Sequence, residues 1–392
     1  MRSTDKNLVQ QLSVTMTKAT VASPWRTRHP IETVLHADAP RRVDLIEQFV
    51  VHKGAIVRKW SSERGVGRGR QIAVRLLTIL AVLVLAGCSA LGGSSSGGQG
   101  GDGQGPEKPT LRVGMLNIVD TASFYLAQER GFFRDEGLTV EPVVAQGGAA
   151  SIPAVVGGSL DVTFGNYVSF FLAESQGVGK FRLISDGYQA GPNTFVLVAR
   201  PDGTVRAPRD LAGRRVAVNT FRNIVELNAR SALQTNGVDP NTVQFVEVPF
   251  PDMAAALAAG RVDAAAMVEP FITAAERSSG AVPVLDTASG PTADIPLGGY
   301  GTTEAFAEQN PRTVAAFQRA MLRGQQAAAD RANVEQVLPT YIRIDRATAT
   351  LINLGTYPQS LDGTRLQRVA DLMQQFALVP GRFDVAPLLA PQ

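Results

Sequence analysis

Between residues 111 and 268 the chain alternates short β-rich runs with amphipathic helical stretches, a pattern that restricts it to an α/β layered architecture. Strands are expected at 111–116, 138–144, 162–164, 181–185, 195–199, 215–218, 243–248 and 264–268. Helices are expected near 122–129, near 152–156, from Tyr167 onward, and near 224–235 and 253–259. After Ile295 the pattern becomes mainly helical, with segments near 311–329, 334–341, 347–354 and 364–376. This block of about 280 residues is long enough for two lobes, because a single core stops growing near 250–300 residues.

Ahead of the block, Arg64, Arg68, Arg70 and Arg75 precede an almost unbroken apolar run at 76–86. A charged region, a short apolar region and small residues before a cut site are the layout of a secretory signal. The run is about half of the ~20 residues that span a bilayer. It ends in Leu85-Ala86-Gly87-Cys88, which resembles a bacterial lipobox, and Cys88 is the only cysteine of the chain. The expectation is a diacylglyceryl anchor on Cys88, left by cleavage as the first residue of the mature protein. The Gly/Ser/Gln stretch that follows reads as a flexible tether. The expected organisation is a mis-called or disordered extension at 1–63, a lipoprotein signal peptide at 64–87, and the lipidated cysteine with its tether at 88–108. Val57 or Val66 would then be the true start, with a genuine cytoplasmic extension as the alternative. Residues 109–198 form the first part of lobe 1, 199–294 form lobe 2, and 295–392 return to lobe 1.

Charge divides at the same place. Residues 1–88 hold 14 Lys and Arg against 6 Asp and Glu, which leaves 24 against 29 in the remainder. A mildly acidic mature domain gives no support for nucleic-acid binding. His29, His36 and His52, with Trp25 and Trp60, all lie before the cut, so the mature chain has no His and no Trp. Metal sites are usually built with His or Cys, and nucleophilic triads need a base such as His. The chain is therefore equipped to bind rather than transform; no catalytic residues, metal ligands or cofactor are expected.

Several motifs occur in a fixed order: Leu111-Arg112-Val113-Gly114, Gly131-Phe132-Phe133 and Glu136-Gly137-Leu138-Thr139-Val140-Glu141 come first. The run from Ala207 to Val218 (APRDLAGRRVAV), Gly260-Arg261-Val262-Asp263-Ala264 and Glu269-Pro270 follow. From about 110 to 380 the chain resembles the periplasmic-type binding proteins for nitrate, sulfonates and taurine, and for thiamine-pyrimidine precursors. The resemblance implies an α/β type II periplasmic-binding-protein fold: two α/β lobes joined by two crossing strands, with a ligand cleft between them. It also implies a monomeric receptor that delivers a small-molecule ligand to an ABC permease and its ATPase at the outer face of the cytoplasmic membrane. A thiamine-pyrimidine-synthase-like enzyme is disfavoured, because that chemistry depends on His and Cys residues the mature chain lacks. A ligand-sensing lipoprotein that does not transport remains the other alternative.

Ligands of open α/β sheets sit beyond the carboxyl ends of strands, against helix N-termini whose free N–H groups suit anions or polarised carbonyls. Four junctions qualify. The first runs from Asn117 to Phe124, where Asp120 and Thr121 are good N-caps; Asn117, Thr121 and Phe124 are its candidates for contact. The second is the turn containing Gly148, where glycine permits close approach. The third pairs Asn166 with Tyr167, an aromatic face for a planar ligand. The fourth is Thr220-Phe221-Arg222-Asn223, from which the resemblance implies a grip by the second lobe. Arg222 could fork onto an acidic group. Glu269, closing the 264–268 strand, could hold an amino-bearing ligand or pair with Arg222. Asn193 and Tyr300, beside the two expected crossings, complete the set. A sulfonate, a nitrate-like anion, a pyrimidine and another organic acid all remain open as ligands.

Overall fold

The computed structural model describes residues 105–145 and 147–391; the expected signal region, Cys88 and most of the expected tether lie outside them. Its strands are β1 (Thr110–Met115), β2 (Thr139–Val144), β3 (Val162–Asn166), β4 (Phe181–Gln189), β5 (Phe195–Ala199), β6 (Arg215–Val218), β7 (Gln244–Glu247), β8 (Ala264–Val268), β9 (Val282–Asp286) and β10 (Pro296–Thr303). The helices of the first half are α1 (Ala122–Glu129), α2 (Phe132–Asp135), α3 (Gly148–Val156), α4 (Tyr167–Ser175), α5 (Ile224–Thr235), α6 (Phe250–Ala258) and α7 (Phe271–Ser279). Those of the second half are α8 (Glu304–Gln309), α9 (Pro311–Ala328), α10 (Arg331–Tyr341), α11 (Arg346–Ala349) and α12 (Gly363–Gln375).

The strands sort into two five-stranded sheets, ordered β2-β1-β3-β10-β4 and β7-β6-β8-β5-β9. In each, three parallel strands from successive βα units are followed by one antiparallel strand, β10 or β5, and then by an edge strand, β4 or β9, that pairs antiparallel with it. Strands covered on both faces by helices read as continuous apolar runs, and β5 and β8 are buried along their whole length. Both sheets belong to one compact unit.

Sheet membership corrects the first lobe boundary. Residues 195–199 were expected to close lobe 1 ahead of a 198/199 boundary, yet β5 pairs with β8 and β9 in the second sheet. The chain therefore crosses at 190–194 and returns at 287–295. The stretch after Ile295 also opens with a strand rather than a helix. Glycine is depleted from strands, and β10 reads PLGGYGTT. Its glycines make room for aromatic packing: a Cβ on Gly301 would stand 2.6 Å from the Phe170 ring. α7 and β9 likewise carried no expectation.

The described chain enters lobe 1 through a cap. Asn310, the residue before α9, makes no side-chain cap bond. Glu107 takes over, accepting the Arg312 N–H at 3.1 Å and the Thr313 N–H at 2.8 Å and the Thr313 hydroxyl at 3.0 Å. Burial opposes ionisation of Glu107, but the bonds from Thr313 and Arg312 outweigh it and hold its pKa down near 2. At the far end of the chain, Ala390 donates to Leu183 O on β4, and Gln318 of α9 donates to Pro391 O.

Candidate functional site

Strands β1, β3 and β6 end beside one another at the junction of the lobes, and helix starts follow. The loop after β1 is the most heavily tied. The Thr121 hydroxyl donates to Leu116 O at 2.9 Å and to Ile118 O at 3.0 Å. The Tyr341 and Tyr357 hydroxyls reach in from the C-terminal part to Ile118 O and Val119 O, at 3.1 and 2.8 Å. Across the junction, Val119 donates to Glu269 O.

A cavity of about 30 Å³ lies between the lobes. From lobe 1 it is lined by Leu116, Ile118, Asp120, Gly148, Phe164 and Asn166, and from lobe 2 by Phe195, Asn219, Asn223, Val225 and Phe250 among others. The lobes are close here, because a Cβ on Gly147 would meet Thr220 Cγ2 at 3.6 Å. Gly148 is required by space: a Cβ there would stand 2.8 Å from Gly165 Cα and 2.9 Å from Asn166 N. The cavity shares Leu116, Ile118 and Phe250 with an outer groove of about 360 Å³, where Asn117 and Val144 face Pro251, Asp252 and Phe271.

Two of the helix starts at this cavity are capped by asparagine. Asn166 Oδ1 accepts the Ser169 N–H at 2.9 Å, and Asn223 Oδ1 accepts the Val225 and Glu226 N–H groups at 3.1 Å each. Asn223 Nδ2 in turn donates to Asn219 Oδ1 at 2.7 Å. Asn166 and Asn219 thus act only as side-chain acceptors, and their amide nitrogens have no acceptor among the described residues. Helix N-termini and amide donors suit an anionic or acceptor group. Asp120 gives the opposite signal. It is buried, its Oδ1 has no hydrogen-bond partner, and burial pushes its pKa up to about 7 against the pull of its own backbone N–H. No Lys or Arg lines the cavity.

The expected contacts divide accordingly. Gly148, Asn166 and Asn223 line the inner cavity, Asn117 lines the outer groove, and Thr220 stands at the lip. The rest lie elsewhere. Thr121 is fully buried with its hydroxyl engaged on the loop backbone. Phe124 and Tyr300 are core, stacked at 6.0 Å, because α1 packs on the first sheet over β10. Tyr167 points into lobe 1 and donates to Asp186 at 2.6 Å, so it offers no face to a ligand. Phe221 and Arg222 line a separate outer pocket of about 230 Å³ against α3 and α4. There the Arg222 guanidinium donates to Leu378 O at 3.3 Å. Asn193 is exposed, its N–H bonded to Asp286. Glu269 is fully buried and accepts from Thr273 Oγ1 at 2.9 Å and from the Asn353 N–H at 3.1 Å, so its pairing with Arg222 does not occur.

Asp120 and Asn219 are polar residues of the cavity lining that the sequence does not single out for contact. The sequence makes Asp120 a helix cap, yet its Oδ1 makes no hydrogen bond. Asn219 follows β6 directly, so the strand-to-helix signal that picked out Thr220 applied one residue earlier. A further pocket of about 340 Å³ lies in lobe 1 among Ile184, Leu322 and Gln359. Its buried acid, Asp186, is already bound by Arg365 and Tyr167.

A family model described as NMT1/THI5 like matches residues 119–333. The chain is 28% identical over 202 residues to the taurine-binding periplasmic protein of Escherichia coli (strain K12). It is 21% identical over 207 residues to the putative binding protein YtlA of Bacillus subtilis (strain 168). The two matches take in 50% and 52% of this chain, and only 59% and 61% of the length of those relatives. Among solved structures, the alkanesulfonate-binding protein SsuA from Xanthomonas axonopodis pv. citri, bound to MOPS, superposes with a TM-score of 0.61 at 20% identity, covering 72% of this chain and 99% of that one. The periplasmic nitrate-binding protein NrtA from Synechocystis PCC 6803 gives 0.59 at 17% identity, covering 72% and 85%. The fold is that of the periplasmic binding proteins, with two α/β lobes.

Proposed function

The chain belongs to the NMT1/THI5-like family, and from that premise we propose that it is a solute-binding receptor of an ABC import system. It binds a small polar molecule between its lobes without transforming it, and hands it to a membrane permease served by an ATPase. It acts as a monomer at the outer face of the cytoplasmic membrane, held there by acyl chains on Cys88. The observation that carries this reading is the inter-lobe cavity, where capped helix starts of both lobes and one unpaired carboxylate converge. A ligand touching both walls favours the closed arrangement, and the two crossings at 190–194 and 287–295 supply the hinge.

Ligand-linked stabilisation tests the reading. Binding to the folded state alone adds about 2.7 kcal/mol at a hundredfold excess over Kd. A thermal-shift scan over sulfonates, nitrate, pyrimidines and organic acids is expected to raise the Tm by at least a few degrees, very roughly, for one class. A flat response across all four classes would refute the receptor reading.

A further inference from the structure

Five carboxylates are buried among the described residues: Asp120, Asp161, Asp186, Glu226 and Glu269. Four are accounted for by the protein itself. Asp161 accepts from Lys108 Nζ at 2.6 Å and the Arg112 N–H at 2.9 Å. Asp186 holds the Tyr167 hydroxyl, the Gly187 N–H and the Arg365 guanidinium. Glu226 holds the Arg230 side chain and the Arg222 N–H, and Glu269 holds Thr273 and Asn353.

Asp120 is the exception. It is 4% exposed, its Oδ1 has no partner, and it lines the cavity between the lobes. A buried carboxylate left without a cation or donor is costly. The tyrosines around it leave it unpaired: the Tyr341 and Tyr357 hydroxyls are bound to loop carbonyls, and neither the Tyr188 nor the Tyr300 hydroxyl makes a hydrogen bond to it. The missing donor belongs on the side that faces the cavity.

We propose that Asp120 selects the ligand: the molecule held between the lobes presents a nitrogen donor, an ammonium or exocyclic amino group, to its free oxygen. The inference rests on the receptor reading above and narrows it. In the same lining, the uncommitted amide nitrogens of Asn166 from lobe 1 and Asn219 from lobe 2 provide donors for the other end of the ligand, an oxyanion or a carbonyl. One acceptor and two donors in a single lining give a bifunctional molecule, with an amino group at one end and an oxygen acceptor at the other, a preferred direction. An analogue that lacks the amino group leaves Asp120 desolvated and unpaired, the situation in which polar sites discriminate most strongly.

The test is isothermal titration of the purified protein with matched probes: taurine against ethanesulfonate, cytosine against uracil, and nitrate alone. An amino-bearing probe is expected to bind more tightly than its partner by on the order of tenfold or more. Asp120→Asn, which keeps the shape and removes the charge, is expected to lower that affinity by on the order of tenfold without weakening the amine-free partner, so that the preference shrinks. Asp120→Leu removes the acceptor as well and should abolish the preference; circular dichroism reports whether it folds, and Asp120→Asn decides if it does not. Amine-free probes that bind as tightly as their amino partners would overturn the inference and leave the receptor reading standing. So would a preference that survives Asp120→Asn. Silence from all five probes would count against the receptor reading for these ligand classes and remove the inference with it.

Discussion

At the residue scale, the two charged side chains that best matched a ligand site from sequence both serve the fold. Arg222 takes a left-handed conformation, φ 55°, and turns its guanidinium outward to Leu378 O. Arg222→Ala is expected to leave the Kd of any bound probe within about twofold, since exposed interactions contribute little. Glu269→Ala, in contrast, strips acceptors from Thr273 and Asn353 in a buried setting and should destabilise the protein by about 1–3 kcal/mol in chemical denaturation. Asp120 gives a pH signature. Its folded pKa near 7 lies above the usual aspartate value of 3.8, so folding disfavours the ionised form. The associated stability is complete below pH 3.8 and is lost as pH rises through 7, a swing on the order of 3–4 kcal/mol. Without added ligand, Asp120→Asn should therefore gain on the wild type as pH climbs from 4 to 7, and parallel denaturation curves for the two would refute the assignment. Sequence marks which junctions face a cleft, but it does not reveal where a side chain turns. Tyr167 and Asn166 are adjacent, yet one points into the core of lobe 1 and the other into the cavity.

At the element scale, apolar periodicity and caps are local signals, and the elements that carry them were legible. The limits of α1, β5, β6, α5 and β8 coincide with the expected ranges. The Asn223 cap of α5 is visible as an asparagine before an apolar run. What stayed hidden depends on distant partners. β10 is a strand because β3 and β4 flank it, and its glycines are accepted because aromatic rings fill the space beside them. The α9 cap is equally non-local, since Glu107 is 206 residues from Thr313. Glu107→Ala should cost about 0.5–2 kcal/mol, the usual range for a lost N-cap. Because its folded pKa is depressed, the contribution is present above pH 4.5 and lost as pH falls toward 2. Acid titration of the Glu107→Ala variant should therefore show a shallower loss of stability over that interval than the wild type.

At the scale of the whole molecule, the α/β alternation and the ordered motifs were enough to foresee two lobes, while the first crossing fell several residues earlier than drawn because sheet membership is decided by pairing rather than by run length. The proposed anchor on Cys88 carries a prediction of its own. Cys88→Ala should move the protein from the membrane fraction to the medium or leave an unprocessed precursor, as the acyl chains depart with the thiol. Two chains suffice for stable attachment at about 0.8 kcal/mol per buried CH₂, so palmitate label retained by the mutant would refute the assignment. The route of the chain then decides how such an attachment is felt. Both ends of the described chain are fastened to α9, through Glu107 at its start and Pro391 against Gln318, and the second sheet is an excursion between two crossings. A pull from a surface would travel from residue 105 into α9 and the first sheet without passing across the cleft. Under the proposed anchoring, lobe 1 would bear the load as a fixed mount, and lobe 2 would hang from it as an unloaded jaw whose opening and shutting the leash does not oppose.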